Sequence, residues 1–230
     1  MIHQKQQEAS ASSQSGFTII ESLVAIVVVG ILLAAIAPVI VLSVATRVQA
    51  RRVELATDAT KTYIDGVRSG AIPPPPITNT STSFPPNAPS ETTLNCPTAN
   101  VYCSLPTAPP SAYQLFCVDG DTGGCTNNNS KDLIVQTFGY NPTSSNAQDG
   151  YKLGLRVYRA DAFENNITLK ALKDPEIKQA QTFTGGTGLT SRQAPLVETT
   201  TEISNKVTTF NDFCARLKAP PSNPNPQSNC

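Results

Sequence analysis

Tryptophan is absent from the 230 residues, and methionine and histidine occur once each. The lone His3 leaves no second imidazole for a His-ligated metal, and it sits at the extreme N-terminus, in the polar leader. Only 15% of side chains are charged, 17 basic against 17 acidic, so the formal net charge is zero. That balance excludes the long-range pull on nucleic acid that a basic protein exerts. No two cysteines stand at Cys-x-x-Cys spacing, so the six cysteines read as disulfide partners in an oxidising compartment rather than as zinc ligands. Prolines outnumber glycines, 19 to 13, which implies long stretches that are neither helix nor central strand. No internal repeat is visible.

What is present falls into zones. Residues 1–16 are polar and rich in Ser, Gln and Ala, a leader without the apolar periodicity needed for burial. From Ser22 to Ala45 no side chain is charged and most are Val, Ile, Leu or Ala. Twenty-four helical residues span about 36 Å, enough for a hydrocarbon core of about 30 Å. Helical spacing continues beyond this run. Val48, Leu55, Ala56, Ala59, Tyr63 and Val67 form one stripe, while Arg47, Arg51, Arg52, Glu54, Asp58, Lys61 and Asp65 occupy other faces. Gly70 and the Pro73–Pro76 run end the pattern. The prediction is one helix over residues 17–70, membrane-spanning over about 17–45, with its second half laid on a soluble domain.

Residues 71–110 form a Pro-rich loop segment; Pro73 to Pro110 holds eleven prolines. Beyond it, in residues 111–230, strands are predicted at Tyr113–Val118, Leu133–Tyr140, Tyr151–Tyr158 and Leu196–Ile203. A short amphipathic helix follows over Asn205–Leu217, with Val207, Phe210, Phe213, Cys214 and Leu217 on one face. The expected fold is α+β: the long N-terminal helix packed on a small antiparallel sheet with Pro-rich, disulfide-stapled loops. Cys96–Cys103, Cys117–Cys125 and Cys214–Cys230 are the expected local pairs among fifteen possible pairings, since each brackets a Pro- or Gly-rich loop.

Several motifs carry little chemistry. Asp119 and Asp121 stand at calcium-loop spacing but lack a third acidic ligand and the bidentate Glu of a 12-residue loop, so a turn is expected and no metal is implied. Thr184–Gly188 lacks the Lys and following helix of a phosphate cradle. Asn166-Ile167-Thr168 matches a glycosylation sequon. Asp161 and Glu164 are carboxylates in a polar, exposed segment, and Arg156 and Arg159 near Tyr151 and Tyr158 read as a solvated strand face. They are the one hint of nucleic-acid capture. No enzyme and no cofactor is implied.

The informative segment is Gly16-Phe17-Thr18-Ile19-Ile20-Glu21-Ser22-Leu23. A single carboxylate, Glu21, enters an apolar run that has no basic side chain from Phe17 to Thr46. A lone ionised carboxylate in a bilayer costs about 2.5–3.5 kcal/mol, so it needs a partner. Cutting the chain after Gly16 would create a new α-amino group about one helical turn away. A secretory signal peptide cut after Ala35-Ile36-Ala37, or a plain single-span anchor, explains the apolar length but not Glu21.

These residues resemble the processing signature of type IV pilins and their pseudopilin relatives. The resemblance implies that a prepilin peptidase cuts after Gly16 and methylates Phe17. It makes Glu21 the assembly glutamate, and Gly30 with Pro38 the helix's kink. It implies a plasma-membrane subunit with its leader in the cytoplasm and an extracytoplasmic globular domain, later part of a periplasmic or extracellular filament. Its partners would be prepilin peptidase, other pilin or pseudopilin subunits, an inner-membrane assembly platform and the membrane itself, with no nucleic acid expected. The Pro-rich insert and C-terminal pattern also resemble pseudopilins of cyanobacterial polysaccharide secretion. The expected function is a minor pilin or pseudopilin; a ligand-binding minor pilin, serving adhesion or DNA uptake, is the alternative.

Overall fold

The computed structural model describes residues 16, 18–81, 84–90, 94–104, 112–164, 167–171 and 190–217. The chain divides into two compact units, Met1–Val48 and Gln49–Cys230. Helix α1 (Ile19–Ser69) makes up the described part of the first unit after Thr18 and opens the second. In the first unit every side chain from Ile19 to Val44 is exposed. Its most apolar 18 residues have a mean hydropathy of 3.1 and none is buried, so the helix is long and apolar enough to cross a membrane.

In the second unit α1 buries Ala56, Ala59, Thr60 and Tyr63, which recur at i, i+3, i+4 and i+7. Thr60 is accommodated because its hydroxyl donates to the Ala56 carbonyl at 2.8 Å. The predicted stripe also held Val48 and Leu55, but these are 45% and 37% exposed. Leu55 precedes Ala56 by one residue and therefore points about 100° away from the buried line. The helix stops at Gly70, whose φ of 79° is cheap only for glycine. The Gly70 N–H bonds the Val67 carbonyl and the Ile72 N–H bonds the Gly66 carbonyl, satisfying two of the orphan acceptors of the last turn.

Five strands form one sheet: β1 (Ile77–Thr78), β2 (Gln114–Val118), β3 (Leu133–Tyr140), β4 (Tyr151–Arg159) and β5 (Val197–Ile203). β3, β4 and β5 are antiparallel neighbours, and β2 pairs antiparallel with the first part of β3. β1 runs parallel to the end of β3, with Ile77 opposite Gly139. The sheet is therefore mixed, which corrects the expected antiparallel one. No hairpin joins β1 to β3; the chain leaving α1 enters beside β3 in the same direction. Pairing is confined to two residues because Pro73–Pro76 have no N–H to donate. Gly139 permits the close approach, since a Cβ there would crowd Ile77.

The two sheet faces have different cover. Tyr151, Leu153, Leu155 and Val157 of β4 join Phe116, Leu133 and Val135 against Ala56, Ala59 and Tyr63 of α1. Leu115, Cys117, Ile134, Phe138 and Tyr158 face the other way, packed under Phe84, Ala88, Leu94, Cys96 and Cys103 from the Pro-rich segment. Cover on both faces explains why β3 and β4 are buried almost continuously rather than at alternate residues.

The Pro-rich segment is tied down by two buried polar side chains. Arg156 Nη1 donates to the Pro86 carbonyl at 2.7 Å and Gln136 Nε2 to the Asn87 carbonyl at 2.8 Å. The Arg156 guanidinium lies 5.1 Å from the Phe138 ring centroid and its Nε is 2.9 Å from a Glu198 carboxylate oxygen.

Two short α-helices, α2 (Thr190–Gln193) and α3 (Phe210–Leu217), and two single 3-10 turns, Ala147–Asp149 and Ala160–Phe163, complete the described fold. Thr209 and Asp212 cap α3 reciprocally: Asp212 Oδ2 accepts the Thr209 N–H at 2.7 Å, and Thr209 Oγ1 accepts the Asp212 N–H at 3.3 Å. The predicted apolar face of this helix is not a buried one. Val207, Phe210 and Phe213 are 60%, 70% and 40% exposed, whereas Cys214 is buried. Polar and covalent ties, including Arg216 Nη1 at 2.6 Å from Glu202 Oε2, hold α3 instead of an apolar stripe.

Disulfides join Cys96 to Cys103 and Cys117 to Cys125, closing short loops on the second sheet face. Cys214 is also disulfide-bonded, and Cys230 lies outside the described residues. Replacing Cys117 and Cys125 together by Ser is expected to lower stability by about 2–3 kcal/mol, the chain-entropy cost of freeing so short a loop. Denaturant unfolding of the full chain under oxidising conditions measures this. An unchanged midpoint would assign the loop's order to its hydrogen bonds alone.

Candidate functional site

The helix start is set by Thr18. Its Oγ1 accepts the Glu21 N–H at 3.3 Å and its carbonyl accepts the Ser22 N–H at 3.1 Å. Thr18-Ile19-Ile20-Glu21 has the Thr-x-x-Glu spacing of a capping box, a sequence signal for this N-terminus that the apolar count alone overlooks. Glu21 thus occupies the third helical position, near the positive end of the helix dipole. It is exposed, and it enters none of the ion pairs among the described residues. Gly16 is exposed just before this turn, and Phe17 lies outside the described residues. Gly30 and Pro38 both lie inside α1, whose helical backbone is uninterrupted across them, although Pro38 has no N–H for the Ala34 carbonyl. Gly30 has open space where a Cβ would stand.

The remaining candidate residues do not gather around this boundary. Asp119 and Asp121 are joined by Asp132, which the spacing did not single out; ligand oxygens of all three lie within 4.8 Å of one another. Asp119 accepts the N–H groups of Asp121, Thr122 and Gly124 at 2.8–2.9 Å. The Asp121 N–H contributes most to holding the Asp119 carboxyl below its ordinary value. Buried Asp132 accepts the N–H groups of Gly120 and Thr126 at 3.1 and 3.0 Å. These carboxylates organise the loop between β2 and β3 with the loop's own N–H groups. Residues 184–188 and Asn166 lie outside the described residues.

Two expectations for the strand face are overturned. Arg156 is fully buried and Arg159 is 7% exposed, so neither lies on a solvated face open to nucleic acid. Asp161 is buried too, paired with Arg159, and is not an exposed carboxylate. The Arg156 side chain is buried against a partner far along the chain, the Pro86 carbonyl, whereas Arg159 and Asp161 are buried as a local pair two residues apart.

The second unit also holds an open cleft of about 920 Å³ where the end of α1 meets the loops before β4 and after β5. Val67, Ile72, Pro73, Ile203 and Val207 give it apolar walls, and Tyr151 lines its base. The Tyr151 hydroxyl is buried without a hydrogen-bond partner among the described residues, and burial pushes its ionisation far up.

No curated protein and no solved structure matches the chain at a significant level. One family model does match, the prokaryotic N-terminal methylation motif, over residues 11–37. The match includes Gly16, Phe17, Glu21 and the first half of the apolar helix, and it does not extend to the narrower resemblance to polysaccharide-secretion pseudopilins. The chain therefore carries the prokaryotic N-terminal methylation motif, the signal of type IV pilins, at the start of a helix suited to a membrane.

Proposed function

We propose that the chain is a structural subunit, a minor pilin or pseudopilin, of a type IV pilus-like filament or secretion pseudopilus. The observation that carries this reading is the methylation motif of residues 11–37 running into a helix whose apolar side chains are all exposed up to Val44. An apolar surface of that extent requires lipid or copies of itself. Prepilin peptidase cuts after Gly16 and methylates Phe17. The leader faces the cytoplasm, and the unit that follows the membrane segment is extracytoplasmic. There its disulfides are stable. Bundled helices then replace lipid contacts, with Glu21 of one subunit meeting the N-terminal amine of a neighbour. Gly30 and Pro38 supply a place to bend, and Ala34, Ala35 and Ala37 permit close approach. The work of such a subunit is assembly rather than catalysis. The large loop-rich second unit suits a low-copy position better than a tightly repeated one.

A ligand-binding minor subunit is the second reading, favoured by the cleft beside Tyr151. Burial of Arg156 and Arg159 removes the basic surface on which DNA capture rested.

Intact-mass and N-terminal peptide analysis of the protein from its native membrane tests the first reading. The expected N-terminus is N-methylated Phe17. Retention of Met1, or a start at Pro38, would overturn it. A deletion strain scored in parallel for piliation, motility and exported polymer then assigns the machine.

A further inference from the structure

The cleft at the end of α1 has aliphatic walls and a rim that donates. Val67, Ile72, Ile203 and Val207 line a space of about 920 Å³. Among the described residues that line it, the charged side chains are Arg68 and Lys206, both exposed, and none is a carboxylate. Lys206 enters none of the ion pairs among the described residues. Arg68 Nη2 makes only long contacts, donating at 3.4 Å to the Thr201 hydroxyl and at 3.4 Å to the Glu202 carbonyl. The nearby Glu202 carboxylate is taken by Arg216. Two exposed amides of the lining act in the same sense. Asn146 Oδ1 accepts the Gln148 N–H at 3.1 Å, and Asn205 Oδ1 accepts the Val207 and Thr208 N–H groups at 3.0 and 3.2 Å. Their oxygens serve the loops' own N–H groups, which leaves NH2 donors for an occupant.

Apolar surface continues along the chain from the cleft. Beyond α1 the exposed large apolar side chains among the described residues are Val207, Phe210 and Phe213. Val207 lines the cleft, and the Thr208 hydroxyl donates at 2.8 Å to the carbonyl of Gln148, another lining residue. Grouped exposed apolar side chains with aromatic anchors mark a surface that a further chain covers. Paired with a rim of cations and NH2 donors, that surface calls for an occupant with apolar body and carboxylate acceptors. We infer that the cleft and the Val207–Phe213 strip dock an acidic segment of a partner polypeptide, in which a large apolar side chain stands beside carboxylates. The apolar side chain fills the aliphatic walls, and the carboxylates meet Lys206 and Arg68. This rests on the second reading above, a subunit that holds a ligand, and names the class of that ligand. The chain's own segments outside the described residues suit the rim less. Residues 172–189 carry two lysines against two carboxylates, and residues 218–230 one lysine and no carboxylate side chain. In a second copy the exposed Glu54 and Asp58 of α1 are already paired with Arg51 and Lys61.

Photocrosslinking of the full chain in its native membrane tests this, with Phe210→p-benzoylphenylalanine as the probe and mass spectrometry to map the product. The expected product joins residue 210 to one other polypeptide, inside a segment where a large apolar side chain adjoins Asp or Glu. Lys206→Glu and Arg68→Glu change exposed side chains that the fold does not need, and each should lower the crosslink yield by about tenfold, the worth of one charge-assisted hydrogen bond. Exchanging the mapped carboxylate of the partner for Lys should restore the yield of the Lys206→Glu chain. Absence of a crosslink, a product with residues 172–189 or 218–230, with a second copy or with a polysaccharide, a mapped segment without carboxylates, or full yield from both charge reversals would each overturn the inference. The N-terminal peptide of the same sample keeps it apart from the pilin reading. A chain that starts at methylated Phe17 yet gives no crosslink removes this inference alone, and a crosslinked chain that keeps Met1 removes the pilin reading alone.

Discussion

Replacing Glu21 by Ala is expected to leave the chain in the membrane and to lower its incorporation into filaments by about tenfold or more. Insertion survives because the change only makes the helix more apolar. A carboxylate inside a bilayer costs about 2.5–3.5 kcal/mol, so removing it eases entry. On the proposed reading assembly suffers because Glu21 meets the N-terminal amine of a docked neighbour, an interaction that the chain's own amine, about one helical turn away, does not supply between subunits. The next basic side chain after Glu21 is Arg47, roughly 39 Å further along at helical rise. The α-amino group of a processed neighbour is the charge that docking can bring close, and a pairing worth more than about 1.4 kcal/mol in a water-poor bundle corresponds to a tenfold change in the assembled fraction. Immunoblots of membrane and sheared-filament fractions measure both quantities. Equal filament yield from the Ala variant would contradict the charge-pairing account. A variant at Gly16 that blocks cutting should share the defect. Combining it with the Glu21 change should add little, because both remove one interaction.

The largest stability effect is expected at Tyr63. Tyr63→Ala should destabilise the second unit by about 3–5 kcal/mol, and Tyr63→Phe by about 1 kcal/mol. The ring is fully buried and meets Phe116 edge-on at a centroid distance of 5.1 Å, with Tyr102 at 6.5 Å. Its hydroxyl is 2.7 Å from that of Tyr102, which donates at 2.7 Å to the Pro73 carbonyl. Tyr102 spends its proton on Pro73, so Tyr63 is the donor of the pair. This short relay joins helix α1, the Pro-rich segment and the turn after the helix, with Phe116 of β2 beneath them. Burial, and next the nearby Tyr102 hydroxyl, hold the Tyr63 ionisation well above its ordinary value. Denaturant unfolding followed by near-ultraviolet circular dichroism reports the loss, and membrane insertion should be unchanged. A Phe variant as unstable as the Ala variant would place the energy in the hydroxyl relay rather than in the ring.

Much of this architecture is legible along the chain. Leu133–Tyr140 reads as a strand from its β-branched and aromatic residues and is one over the same span. The end of α1 follows from Gly70 and the prolines, because both act through local backbone sterics. The parallel edge strand β1 was not legible. A two-residue ladder beside four prolines has no pattern of its own, and it exists because Gly139 lets Ile77 approach. Arg156 and Asp161 were misread for a related reason. Charge predicts exposure unless partners are present, and the Arg156 partners include the Pro86 carbonyl, 70 residues away.

The sequence by itself determined the apolar helix, its lone carboxylate, the methylation motif at its start and the positions of the four longer strands. Each is a property of neighbours within a few residues, written as length, period or spacing. Tertiary structure alone decided which polar side chains are buried, Arg156 and Asp161 among them, and that β1 joins the sheet in parallel. Those outcomes depend on contacts between segments remote in sequence, whose energies no local pattern encodes.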